Sequence, residues 1–245
     1  MTPTQTEQLR FALSQPRYAR WPAPPVVPGS WRDLSGDLAF NTVVAICQWL
    51  EGERHIQNLA IDWSIDRVRM RALSCYEDAM LIELAGHAGF GRPGLINVIV
   101  HEEGMALLNG SSAIFHRLNE ALPPSLETPA QRLDYLNLFM NWVHAEHGRF
   151  QPIGTEADLR ARLRLEAAET LQPVPLSCFE ESPAPENTGA LAHYTGTVLY
   201  GDTLFRTVMA LSPGGLVEML DEEVLIADLP VREESLAGPM IITQI

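Results

Sequence analysis

The sequence predicts an α+β fold, with two antiparallel β meanders packed around one or two buried helices. Three observations carry this expectation. Apolar and polar residues alternate with period two from Ile65 onward, in runs broken by glycine-rich turns. A second set of such runs occupies Leu191 to Ile226. Between them, Thr128-Pro129-Ala130-Gln131 is a capping box with proline at the first helical position, opening a segment that is apolar nearly all round.

The elements follow in chain order. Thr6 to Ser14 predicts a short amphipathic helix with Leu9 and Leu13 on one face. Residues 1–32 read as an extended proline and aromatic arm, because proline fixes φ and removes a donor through Pro22, Pro24 and Pro25. Trp21 and Trp31 are expected to pin this arm to the body, since aromatic anchors seek burial. The other use of such a stretch is as a proline-rich ligand for a partner. Asp37 is expected to cap a helix to about Gly52, with Phe40, Val43, Cys47 and Leu50 at helical spacing.

Val68, Met70 and Ala72 alternate with Arg67, Arg69 and Arg71, which predicts a half-buried strand with arginines outward. Ala79 to Ala85 and Leu95 to His101 follow as strands, and Glu102-Glu103-Gly104 turns into Met105 to Leu108. Asn109-Gly110 is a strong hairpin signal, so Ala113 to Leu118 is expected to return as a strand. The capped helix is expected to run from Thr128 to His147 and stop at Gly148. Residues 155–170 predict another helix, although 159–165 alternates as a strand would. Residues 180–189 read as a linker. Strands are then expected at Leu191–Tyr200, Thr203–Leu211, Leu216–Leu220 and Val224–Ile226, ahead of an acidic and then apolar tail. A single compact unit is expected over 1–245, with lobes at 33–170 and 188–228 as the variant of that reading.

Composition excludes several functions. The chain has no lysine: its 17 basic residues are all arginine, against 31 acids. Schiff-base chemistry on pyridoxal phosphate or an aldolase lysine is therefore excluded, as is a Walker A lysine. A net charge of −14 repels phosphate backbones and anionic membranes, so neither nucleic acid nor membrane is an expected partner. Cys47, Cys75 and Cys178 stand far apart without CxxC spacing, which fits reduced thiols and a cytoplasmic location. Arginine without lysine, with abundant alanine and leucine, suggests a GC-rich bacterial genome.

The candidate sites are few. His144 and His147, at i and i+3 of the expected helix, would offer two metal ligands, the basis of a metal-assisted hydrolase reading. The spacing departs from HExxH, and solvent-exposed histidines interacting with the dipole at a helix C-terminus are the simpler reading. Arg67, Arg69 and Arg71 should share one strand face about 7 Å apart. They suit a small-anion sensor, or a ladder paired with acids such as Asp62, Asp66 and Glu83. His101-Glu102-Glu103 sits at a turn, Ser111 lacks a GxSxG elbow, and Gly89 to Gly94 is not a GxGxxG loop. No cofactor is implied. The function expected is non-catalytic: an accessory protein binding another protein, or itself, through an acidic surface or a sheet edge. Glu222-Glu223 and Glu233-Glu234 are the candidate acidic patches.

Overall fold

The computed structural model describes residues 3–15, 20–52, 64–88, 92–184 and 188–243. Asp62 and Gly89 to Gly91 lie outside them. In chain order the elements are α1 (Pro3–Ser14), β1 (Arg32–Leu34), α2 (Gly36–Gly52), β2 (Ser64–Ala72), β3 (Met80–Ala88), β4 (Arg92–His101) and β5 (Gly104–Leu107). Then come α3 (Ser112–Ala121), α4 (Pro129–Trp142), β6 (His144–Ala145), β7 (Gly148–Arg149), β8 (Gln151–Pro152), α5 (Glu156–Arg162) and α6 (Leu165–Thr170). The chain ends with β9 (Glu180–Pro183), β10 (Ala192–Tyr200), β11 (Thr203–Leu211), β12 (Val217–Ile226), β13 (Glu234–Ala237) and β14 (Met240–Thr243).

The fold is α+β with antiparallel sheets, and it divides into two compact units. The first takes the chain up to Leu73, Asp78–Asn109 and the stretch from Glu234; the second takes Ser74–Glu77 and Gly110–Glu233. No helix among the described residues is long and apolar enough to cross a membrane.

The first unit is built on the sheet β1-β2-β3-β4-β14-β13. β4 lies inside the sheet: β3 pairs along one side, and on the other Gly94 and Leu95 pair with β14 while Val98 to His101 pair with β5. One sheet face carries Val68, Leu84 and Ile96 in register, with Ile82 and Val98 in the neighbouring row. It packs on Phe40, Val43, Ile46 and Leu50 of α2 and on Leu9 of α1. Burial of these aliphatic and aromatic side chains contributes about 1.5–3 kcal/mol each. The helical spacing of 40, 43, 46 and 50 thus encodes a face that covers a sheet.

In the second unit β12-β11-β10-β8 form a sheet, with β9 also on β10. Helix α4 is its buried helix, with Tyr135, Leu136, Leu138 and Trp142 each 0% exposed. The start of α4 follows local rules: Thr128 accepts from the Gln131 N–H and Gln131 returns the contact.

Several sequence expectations are corrected. Residues 113–118 are helix α3 and not a returning strand. Gly110 turns the chain at φ +87°, but Ser111 then caps a helix by accepting from the Ala113 N–H, and Phe115 and Leu118 bury one face. Helix α4 stops at Trp142 rather than His147. Val143 is extended, and the His144 N–H donates to the Gly110 carbonyl, drawing the chain into the β6–β7 hairpin. Residues 155–170 are two short helices, α5 and α6. Leu163 between them pairs with Val231, so 159–165 is not a strand. Part of the 180–189 segment is strand β9, paired with β10. The two expected strands at 216–220 and 224–226 are one strand, β12, with a bulge near each end.

Candidate interaction surface

Register places Asp33 opposite Arg69, Arg69 opposite Glu83 and Glu83 opposite Asn97, a polar row running across four strands. The strand is not half-exposed: Arg69, Arg71, Glu83 and Asn97 are all buried. Arg69 forks onto Oε1 of Glu83, with its Nε at 2.6 Å. Oε2 of Glu83 accepts from the Val26 N–H and from Asn97 Nδ2, both at 2.9 Å. Burial pulls the Arg69 pKa down, and the adjacent Glu83 opposes that.

The arm supplies the rest. Arg69 lies 3.8 Å from the Trp21 ring centroid and also faces Trp31, and the Trp21 indole donates to Asp33. Arg71 donates to the Pro28 carbonyl. Arg67 is half-buried. The cations that suggested an anion site are therefore directed, at Arg69 and Arg71, to the protein's own arm, whose Val26 and Val27 are buried.

His144 and His147 belong to the β6–β7 hairpin, so the helical i and i+3 spacing that suggested metal ligation does not exist. His144 stacks on Trp142, and exposed His147 lies against Tyr200, whose hydroxyl accepts from the His147 N–H. Among the described residues no group of three His, Cys, Asp or Glu is placed to hold a metal ion. Glu102 and Glu103 form the exposed β4–β5 turn.

Two polar networks in the second unit were not evident from sequence. In the first, the Tyr76 hydroxyl donates to Asn119, Asn119 donates to the Tyr135 hydroxyl, and Tyr135 donates to the Gly215 carbonyl at 2.7 Å. Burial pushes the Tyr76 and Tyr135 pKa values up, the latter to about 12. Gly215 sits at φ +80°, and an added Cβ would lie 2.7 Å from the Tyr135 hydroxyl, so the turn admits only glycine.

In the second network Arg132 forks onto Glu181, which also accepts from Tyr194. The Arg132 hydrogen bond holds the Glu181 carboxyl below its ordinary value of 4.5. A depressed folded value means stability present above that ordinary value and lost as pH falls through the folded one. Glu181→Gln should therefore lower the denaturation midpoint at neutral pH, and the gap from wild type should close on acidification. A gap independent of pH would remove the ion pair as its cause.

Strand β12 is exposed along most of its length. It pairs with β11 on one side and ends the sheet. Seven consecutive residues, Glu218 to Val224, are exposed. They include Met219, Leu220 and Val224 at 37%, 51% and 58%, and Leu216 just ahead is 44% exposed. Glu218, Asp221, Glu222 and Glu223 lie in the same run, and Arg206 of β11 pairs with Glu223. The other acidic pair is divided: Glu233 faces Arg164 at 3.7 Å, and Glu234 opens β13. No protein-family model, curated protein or solved structure matches this chain.

Proposed function

We propose that this chain is a non-catalytic interaction protein that binds another protein along β12. The observation that carries the reading is a ten-residue edge strand exposed along most of its length and bearing exposed methionine, leucine and valine. Edge strands carry unpaired N–H and C=O groups, and proteins ordinarily shield them with charge, bulges or cover. β12 has the charges and the bulges, yet keeps large apolar side chains in water beside them. Clustered exposed apolar surface rimmed by charge is a usual mark of a protein-binding site. A cytoplasmic setting in a bacterial cell fits the free thiols Cys47, Cys75 and Cys178 and the lysine-free composition.

The test is native mass spectrometry of the chain isolated from its own host. A protein partner at fixed stoichiometry is expected, with occupancy at least ten-fold lower for Leu220→Ser with Val224→Ser. Both side chains are exposed, so the fold should survive the change. Undiminished occupancy in the double variant, or a chain carrying only a metal ion or small molecule, would overturn the reading.

A further inference from the structure

We infer that the segment bound at β12 is an extended cationic stretch of the partner, added to the sheet as its next strand. This rests on the interaction reading above and specifies its occupant.

The backbone supplies the first argument. Strand addition uses main-chain hydrogen bonds for affinity and alternate side chains for selection. β12 is ten residues long and ends its sheet among the described residues, and one of its amides, that of Glu222, donates to the Asp221 carboxylate at 2.9 Å. Its bulges fall at Leu220 and Leu225, between the register pairs Val208–Asp221 and Met209–Met219 and between Leu204–Ile226 and Phe205–Val224. Asp221 to Val224 therefore form the regular stretch, pairing in order with Val208, Thr207, Arg206 and Phe205.

Charge selects the occupant. Within that stretch Asp221 and Glu223 share one face, and Glu222 and Val224 the other, because strand side chains alternate. A strand added beside it meets carboxylates on both faces, with Glu218 beyond. Opposite charges across strands stabilise a pair, and like charges directly opposite destabilise it. A second copy of this chain would set β12 acids against β12 acids, on bodies each carrying −14. The same acids that repel a copy attract arginine or lysine, and Met219, Leu220 and Val224 supply apolar contact between the charged positions.

The probe is the peptide acetyl-(Arg-Val)4-amide, compared with acetyl-(Arg-Pro)4-amide. The two have equal charge and extended backbones, but proline lacks the donor a ladder needs. The intact chain is expected to bind the valine peptide at least ten-fold more tightly. Hydrogen exchange of β12 amides should slow at least ten-fold when that peptide is bound. Asp221→Asn with Glu222→Gln should weaken binding at least ten-fold without changing the unfolding midpoint by more than a degree or so. Equal affinity for the two peptides, or unchanged exchange at β12, would reduce the contact to charge attraction and overturn the inference. A dimer by sedimentation that protects β12 without peptide would assign the edge to a second copy and overturn it likewise. If the host partner is still lost with Leu220→Ser and Val224→Ser while the peptide arm fails, the interaction reading stands and only the strand-addition inference falls.

Discussion

Glu83→Ala should destabilise the first unit by about 3–5 kcal/mol, the cost of leaving one member of a buried ion pair without the other. Glu83 is 0% exposed and accepts from Arg69, Asn97 and the Val26 backbone. Removing its carboxylate takes away the ion-pair partner of Arg69 and the acceptor used by the Asn97 amide and the Val26 N–H. The arm should therefore loosen along with the loss of stability. Two readouts check this: the emission of Trp21 and Trp31 should shift to the red, and trypsin should cut faster after Arg20. The double variant Arg69→Met with Glu83→Leu should recover much of the loss, because a well-packed apolar pair often replaces a buried ion pair at little cost. A single-variant loss below about 1 kcal/mol, the scale of an exposed pair, would show that the row does not anchor the arm.

Tyr135→Ala should cost the second unit roughly 4–6 kcal/mol, and Tyr135→Phe about 1–3 kcal/mol, with the difference separating ring from hydroxyl. The ring is fully buried and contacts Tyr76, Phe115 and Phe139 at centroid distances of 6.0, 6.5 and 6.4 Å. The hydroxyl joins Asn119 to the Gly215 carbonyl. The phenylalanine variant keeps the packing but leaves that carbonyl and one Asn119 N–H without their partner. The alanine variant adds a cavity to the same loss. Urea midpoints of the two variants provide the check. Equal losses would mean that the ring contributes little and the hydrogen bonds dominate.

The strands from Ile65 to Leu107 and the start of α4 were legible because their signals are local: a period of two, a glycine turn, a capping box. What the sequence hid depends on partners distant in the chain. The end of α4 is an example. Residues 143–147 continue a helical pattern by composition, and only the bond from His144 to Gly110 and the pairing with Arg149 reveal a hairpin. Asn109-Gly110 matched a hairpin signal just as well as it matches the turn into α3. Glu83 was legible as a partner for the arginine stripe, since adjacent strands imply some opposite acid. Asn97 and the arm backbone were not, because their place depends on the register of four strands. The edge was legible only in outline. Its acids were visible, but Asp221-Glu222-Glu223 read as a break between two strands rather than as the middle of β12.

The pairing of β4 with β14 carries a cost in time. Met240 follows His101 by 139 residues (240 − 101), and that interval includes all of Gly110–Glu233. At roughly 5–20 residues per second, a ribosome needs roughly 7–30 s to cover it. Throughout that interval β4 is made while the strand that flanks Gly94 and Leu95 is not, because Gly110–Glu233 is synthesised first. The first unit must thus wait through this interval with part of a hydrophobic strand uncovered. A nascent chain stalled before Met240 is a more natural client for a chaperone than the finished protein.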